Sequence, residues 1–475
     1  MKILIAAAEC APLAKTGGLA DVVGTLPRHL IALGHDARVM IPYHRSIKDR
    51  YAGSVEHLLS FEVQLGWRCQ YAGIERLSIN GMTVYLVDNE FYFGGPIYKG
   101  GEDEGEQYAF FTAAMLEALP RLGFIPDVIH CNDWHTALTP MLLKTRYNCG
   151  ELGSVKTLFT IHNIAYQGRF DFGFFRDVLD IDPKYNTTDF MVNDGCASFM
   201  KAGCVFADKI NTVSPTYARE ILSPGLSEGL DGILNYRRGD LCGILNGIDT
   251  VAFDPEHDPD IPFHYTAGNL GGKRRTKEAL MRELGLHGDP DAPMVAMVTR
   301  MTGQKGFDLV MQAIDEIMGW GIFFVLVGTG DWYYEGFMRE AENRHRGRLC
   351  SFIGYSEELA HRVYAASDMF LMPSMFEPCG LSQMIAMRYG SVPVVRETGG
   401  LKDTVEPYNR YTGEGVGFTF RDITAGDMKD ALGRALELYH NDRAAFTGLI
   451  RAGMARDFSF ARSAREYERL FLSLL

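Results

Sequence analysis

The chain has 475 residues, 47% of them hydrophobic, and a formal net charge of −13 at pH 7. That length exceeds one ordinary core and calls for two large domains, and the acidic balance argues against a nucleic-acid or anionic-membrane partner, since both need a basic face. Nine scattered cysteines without a C-x-x-C pair suit reduced thiols in a cytosol better than a disulfide framework or a zinc site.

Met1-Lys2-Ile3-Leu4-Ile5-Ala6 enters a strand at once and lacks the pattern of a signal peptide. No apolar run approaches a membrane span, so a cytoplasmic protein beginning at its native Met is expected. Residues 2–8 read as a buried strand, 18–33 as a helix stopped by Gly34, and 36–42 as a second strand. Region 60–88 alternates more and turns at Asn80-Gly81, which reads as an inserted hairpin region. Val128–Cys131, Thr157–Ile161 and Lys209–Val213 are further strand candidates. This β-then-α alternation predicts a parallel sheet covered by helices on both faces.

The stretch 246–275, rich in Asp, Pro and Gly, reads as an interdomain connection. Strand candidates then resume at Met294–Thr299, Phe323–Val327, Leu349–Ile353, Met369–Met372 and Val392–Val395, separated by helical stretches. The second half is therefore a second α/β domain.

One string occurs in each half. Thr16-Gly17-Gly18-Leu19-Ala20-Asp21 and Thr398-Gly399-Gly400-Leu401-Lys402-Asp403 both follow a strand and precede a helix. Turn chemistry alone favours Gly there. Glycines also let backbone approach a ligand, and a helix N-terminus offers amides and a positive dipole end. Lys15 adds a mobile cation, so the first turn suits a phosphate. Neither string is a Walker loop or a dinucleotide fingerprint, and Gly328-Thr329-Gly330 has Tyr333 where a third Gly belongs.

Arg300 falls at a strand's C-terminal end, the edge that lines the ligand crevice of open α/β sheets. Lys305 should start the next helix, a poor place for a cation unless an anion lies there. Solvated surface charge is the plainer alternative for both. In Pro373–Gln383, Glu377 can accept hydrogen bonds from sugar hydroxyls, and the amides of Gly380, Leu381 and Ser382 open a helix toward a second phosphate. The alternative is a capped helix start with Cys379 as a small buried residue. His162-Asn163 follows strand 157–161. His130-Cys131-Asn132-Asp133-Trp134-His135 has the look of a metal cluster, but its histidines lie across a strand–helix junction and no other ligands are evident, so no metal is assigned. The D-x-D pairs Asp180–Asp182, Asp258–Asp260 and Asp289–Asp291 lie in acidic stretches and receive no role.

Taken in order, K-T-G-G-L-A-D-V-V-G, H-C-N-D-W-H-T, F-T-I-H-N-I-A-Y-Q-G, I-N-T-V-S-P-T-Y-A-R-E-I, G-I-L-N-G-I-D, R-M-T-G-Q-K-G-F-D-L, F-E-P-C-G-L-S-Q and R-E-T-G-G-L-K-D-T-V resemble the bacterial glycogen synthases and the related plant starch synthases. The resemblance runs from residue 1 to about 460. It implies a GT-B fold, two Rossmann-like doubly wound domains facing across a cleft. These would span 1–245 and 246–457, with a C-terminal helix, 458–475, packing back on the first. It also implies transfer of glucose from ADP-glucose to the non-reducing 4-hydroxyl of an α-1,4-glucan, elongating glycogen with retention of configuration.

By the same resemblance Lys15, Arg300 and Lys305 contact the donor phosphates and the transferring glucose. Glu377 and His162 line the glucosyl pocket, Asp133 is near the reaction centre, and Asn246 and Tyr355 fall on the nucleoside side or the hinge. Gly17, Gly18, Asp21, Cys379, Gly380, Leu381, Ser382, Thr398, Gly399 and Gly400 complete the expected donor site. Glu397, before the second turn, binds neutral hydroxyls or caps its loop. Cations and helix N-termini stabilise the departing diphosphate, so no metal or other cofactor is expected. Met375 and Ser382 stand where family members often carry Arg and Thr, which leaves the charge balance near Glu377 open. Ile385 stands where some related retaining transferases have a second Glu. Retention through a covalent intermediate or through same-face attack are both chemically open; with no evident nucleophile, the second is expected. The competing readings are a GT-B transferase using a UDP- or GDP-sugar, a non-catalytic glucan- or nucleotide-binding protein, and a dinucleotide oxidoreductase. The presence of Lys15, Arg300, Lys305 and Glu377 argues against the second, and the missing G-x-G-x-x-G against the third.

Overall fold

Strand β1 (Lys2–Ala6) is apolar and buried after its first residue, as a central strand of a parallel sheet must be. A computed structural model describes the backbone of residues 1–475 and every side chain except that of residue 175. Its contacts divide it into two units, Met1–Gly247 with Phe460–Leu475, and Ile248–Ser459. The main strands of the first unit, after β1, are β2 (Asp36–Pro42), β3 (Glu56–Leu65), β4 (Arg68–Ile79), β5 (Met82–Asp88), β6 (Val128–Asn132) and β7 (Lys156–Ile161). The short β8 (Arg169–Phe170), β9 (Val192–Asn193) and β10 (Cys196–Ser198) form a small sheet of their own, and β11 (Lys209–Thr212) and β12 (Leu241–Gly243) rejoin the main one. The main sheet has nine strands in the order β12-β11-β7-β6-β1-β2-β5-β4-β3.

Side chains alternate across β1 with period two. Leu4 and Ala6 enter a core shared with Phe110, Phe111 and Leu116 of the helix Gly101–Arg121. Ile3 and Ile5 enter the opposite core, which holds Leu19, Val23 and Leu26 of the helix Gly18–Ala32 and Phe460, Tyr467 and Phe471 of the helix Phe460–Leu472. The last helix is thus part of the first unit's core, and Asn211 donates to the Tyr467 hydroxyl at 3.0 Å.

Region 60–88 is not a separate insertion. The Asn80-Gly81 turn, with φ of 50° and 75°, joins β4 to β5, and β5 pairs in parallel with β2. Val84 and Leu86 belong to the same core as Ile3 and Ile5, and that burial makes the hairpin an antiparallel edge of the main sheet.

In the second unit β13 (Met294–Val298), β14 (Phe323–Gly328), β15 (Leu349–Ile353), β16 (Met369–Met372), β17 (Val392–Arg396) and β18 (Phe418–Phe420) form a parallel sheet in the order β15-β14-β13-β16-β17-β18. Strands β12 and β18 have three residues each, too few to show a period in the sequence. Both sheets reverse their strand order beside their first strand, between β1 and β6 and between β13 and β16. The carboxyl ends of such a strand pair open a crevice where doubly wound sheets bind ligands. Among the described residues, no helix is long and apolar enough to cross a membrane.

Phe471 is fully buried although only four residues follow it. Phe471→Ala should cost the first unit about 3–5 kcal/mol, read as an earlier urea transition of that unit, with the transition of residues 248–459 left in place.

Candidate active site

At the β1/β6 switch point the residue that organises the turn is Glu9, which is 2% exposed. Its carboxylate accepts the Thr16 hydroxyl at 2.7 Å, the Gly17 N–H at 3.3 Å, and short hydrogen bonds from the Thr16 N–H and the Tyr98 hydroxyl. Only a carboxylate offers two oxygens that are both acceptors, so the residue type follows from the four donors. The Gly-Gly string thereby becomes a fixed turn, and the amides it can offer an anion begin at Gly18. A Cβ on Gly17 would meet nothing within 4 Å, so its bare backbone faces open space. Lys15 pairs with Asp21, in the helix's first turn, at 2.8 Å.

Asp133 follows β6 and is 8% exposed. Its φ of 57° and ψ of −179° lie in a region used almost only by glycine, which costs about 1–3 kcal/mol. What holds it is a ring of bonds: its N–H donates to Thr160 O at 2.9 Å, and its Oδ1 accepts the amides of His162 at 2.7 Å and Asn163 at 3.3 Å. Burial pushes its carboxyl up to about 7 against the pull of those two amides, and the Glu9 charge adds to the rise. His162 lies at the end of β7, with Nε2 2.9 Å from Asn132 Oδ1, and burial lowers its ring to about 3. The two histidines flanking Asp133 lie on opposite sides of the sheet: His130 packs on Tyr467 and Phe471, and His135 on Tyr98, Tyr108 and Trp134.

At the β13/β16 switch point Lys305 and Glu377 form an ion pair at 2.6 Å, with the Ser374 hydroxyl donating to the same carboxylate oxygen at 3.0 Å. Glu377 is 5% exposed. Lys305 does not start a helix: it ends the 3₁₀ turn Gly303–Lys305, and the helix begins at Phe307. Between them Gly306, at φ 76°, lies where any Cβ would run into the Pro373 carbonyl, and this close approach brings Lys305 to Glu377. The charge balance left open by Met375 is met by Lys305, while Arg396 from β17 holds the carbonyls of Ser374, at 2.8 Å, and Met375. Arg300 is exposed just past β13.

The second Gly-Gly turn differs from the first. A Cβ on Gly399 would strike the Glu377 carbonyl, and one on Gly400 the Cys379 carbonyl. The Gly400 amide is spent on Glu377 O at 3.1 Å and Pro378 O at 3.2 Å. These glycines brace the loop that carries Glu377, so the expected donor contact through the Gly400 amide is replaced by an internal one. Glu397 is held by Thr419 at 2.8 Å and Arg421 at 3.0 Å, contacts that brace its own loop. Gly380, at φ 70°, and Leu381 lead into the short helix Ser382–Arg388, whose Ser382 hydroxyl reaches Val298 O at 3.5 Å. Cys379 is buried, Tyr355 is 77% exposed just past β15, and Asn246 is buried with an Oδ1 that has no hydrogen-bond partner.

Asp258, Asp260 and His361 each offer an atom within 4.8 Å of the others, the one grouping with metal-ligand chemistry among the described residues. Asp258 already binds His361 at 2.8 Å and the Tyr389 hydroxyl, and the triad ties the connecting loop to the second unit.

Residues 2–236 match the family described as starch synthase catalytic domain, and residues 282–447 match glycosyl transferases group 1. Two Rossmann-like sheets with acidic, basic and hydroxyl-bearing side chains at their switch points, under these two descriptions, define a GT-B glycosyltransferase. Glycogen synthase from Geobacillus thermodenitrificans is 47% identical, covering 100% of this chain and 98% of its own. Glycogen synthase from Lachnospira eligens is 44% identical, covering 99% of each. The catalytic domain of starch synthase IV from Arabidopsis thaliana, solved bound to ADP and acarbose, superposes with a TM-score of 0.93 at 34% identity, covering 99% of each chain. The chain belongs to the glycogen and starch synthase family.

Two substitutions probe the first switch point. An Asp with a raised folded pKa is protonated in the fold and ionised in the unfolded chain between the ordinary carboxylate range and about 7, so this group's contribution to stability falls as pH rises through that window. Asp133→Asn keeps the acceptor and removes the titration; its melting temperature relative to wild type should be higher at pH 8 than at pH 4. Glu9→Gln sets an NH₂ group against donors and should destabilise by about 1–3 kcal/mol, measured by thermal unfolding.

Proposed function

We propose that the chain transfers glucose from ADP-glucose to the non-reducing 4-hydroxyl of an α-1,4-glucan, with retention of configuration and without a metal, in the cytoplasm. The observation that carries this reading is the constellation of half-buried Lys305 with buried Glu377 and Ser374 at the β13/β16 switch point. It sets a cation suited to a departing phosphate beside a carboxylate suited to sugar hydroxyls. The ligands of the Arabidopsis starch synthase, ADP and acarbose, match that division of labour.

In this reading Arg300 and Lys305 stabilise the negative charge that develops on the diphosphate, and Lys15 with the amides from Gly18 onward assists. Glu377 and His162 hold the transferring glucose. Asp133, strained and buried, stands near the reacting carbon and the incoming hydroxyl, and attack on the same face as the departing phosphate accounts for retention. Tyr355 and Asn246 serve the nucleoside side, where the unpartnered Asn246 Oδ1 is an acceptor awaiting a donor. Metal independence is supported by those cations and by the commitment of the acidic pairs elsewhere: Asp182 caps a turn, Asp258 binds His361, and Asp289 accepts the Asp291 amide at 2.9 Å. Nine free cysteines agree with a reducing compartment.

The test is incorporation of labelled glucose into glycogen. ADP-glucose should be preferred over UDP-glucose, and EDTA should leave the rate unchanged. Lys305→Ala and Glu377→Ala should each lower kcat by about 100-fold or more, beyond what the loss of stability from the unpaired partner, read by thermal unfolding, accounts for. A preference for UDP-glucose would reassign the donor; wild-type rates in both variants would reject the site.

A further inference from the structure

Asn132, the last residue of β6, is fully buried, and its side chain makes three hydrogen bonds. Its Nδ2 donates to Ala6 O at the end of β1 and to His130 O, each at 3.1 Å. Turning the amide over would set its oxygen against two carbonyl oxygens, so the orientation is fixed by chemistry. Oδ1 is therefore the acceptor that faces His162 Nε2 at 2.9 Å, and Nε2 must carry the ring's hydrogen. The backbone of the same histidine is held by the neighbouring residue, through its N–H to Asp133 Oδ1 at 2.7 Å. Two successive residues at the β1/β6 switch point thus clamp both the ring and the main chain of His162.

We propose that Asn132 is a positioning residue that locks His162 in its Nε2–H tautomer, so that Nδ1 acts as a hydrogen-bond acceptor for a substrate hydroxyl and never as a proton donor. The proposal rests on His162 serving the glucosyl pocket and deepens that assignment. It fixes what the ring recognises: a ligand O–H, which a deoxy analogue would lack and a site built for it would reject. It also removes His162 from the list of general acids, leaving proton movement to other groups.

The titratable groups around His162 are Asp133 in the turn after β6, His130 within β6, Glu9 after β1, and Tyr217 of the helix Pro215–Glu220, whose hydroxyl binds the Ile164 amide at 3.2 Å. None of them is what lowers the ring; burial is, and it keeps His162 neutral in the working range. The lock is thus a tautomer lock on a neutral ring, and an anionic residue in Asn132's place would convert it into a charge switch.

Asn132→Asp supplies that anion with the same reach, although its second oxygen then faces the carbonyls of Ala6 and His130, so its melting curve is recorded too. It should stabilise the imidazolium, turn Nδ1 into a donor, and lower kcat by about tenfold or more below neutral pH, the worth of one hydrogen bond. The rate should recover as pH rises, through an inflection that wild type lacks. Independently of any variant, nitrogen-15 spectra of the full chain labelled at histidine should show a neutral Nε2–H ring that disappears in His162→Ala. Asn132→Leu should shift tautomer populations toward Nδ1–H, with its melting curve recorded because the bonds to Ala6 and His130 go too. An Nδ1–H signature in wild type, or tautomer populations in Asn132→Leu unchanged from wild type, would overturn the proposal. Wild-type turnover in His162→Ala would instead overturn the pocket assignment, while the tautomer measurement would still stand or fall by itself.

Discussion

Right-handed crossovers set every helix wound in one direction on the same face of a sheet, so covering the other face takes a return to the first strand and winding the other way. In the first unit β1 leads to β2 and β5 on one side and β6 starts afresh on the other; in the second, β13 leads to β14 and β15 before β16 does the same. At each reversal the two connections diverge, and the carboxyl ends of the central pair are left uncovered. Glu9 and Asp133 stand at the first such gap, and Lys305 and Glu377 at the second. These buried charged groups gather at such places because nowhere else does a doubly wound sheet leave strand ends open beside buried, rigid backbone.

The two gaps handle buried carboxylates in opposite ways. Glu377 is neutralised by a cation, Lys305 at 2.6 Å. Glu9 and Asp133 are instead satisfied by dipoles, four donors around one and two amides on the other. A dipole cage satisfies hydrogen bonds without cancelling charge, and the Asp133 carboxyl is accordingly raised, by burial first and by the Glu9 charge after it. The strain at Asp133 belongs to the same arrangement: its outlying φ aims the carboxylate at the amides of His162 and Asn163, and those bonds hold the backbone where it would not otherwise rest.

Much of this was legible in the sequence. The long apolar runs of β1, β13 and β16 and the alternation between them specify two doubly wound sheets, because buried parallel strands cannot be polar. Three-residue strands such as β12 and β18 are invisible, since no period fits in them. The hairpin β3–β4–β5 was legible as a hairpin, but its union with the main sheet depends on β5 meeting β2 across nearly fifty residues of chain. At the sites, Lys305 and Glu377 were identifiable, yet their pairing was not, because it is made by Gly306 letting two loops touch. Glu9 was missed altogether: Ala8-Glu9-Cys10 carries no motif chemistry, and its importance appears only when Thr16 and Tyr98 converge on it. The twin Gly-Gly strings were visible as a repeat, but identical letters serve different ends, open backbone at Gly17 and a brace for the Glu377 loop at Gly399 and Gly400.

The Lys305–Glu377 pair adds a constraint on any ligand of the second unit. Burying one charge after removing its partner costs several kcal/mol, so an anion cannot simply take Lys305 away from a carboxylate that is 5% exposed. It must arrive with donors for Glu377. A free phosphate brings none, whereas a sugar joined to a diphosphate brings the anion for one residue and hydroxyls for the other in a single molecule. Ser374, already donating to the same oxygen, can hold the carboxylate through the exchange. In the proposed reaction the pair would thus favour an intact sugar diphosphate over its phosphate fragments, by electrostatics that are in place before any ligand binds.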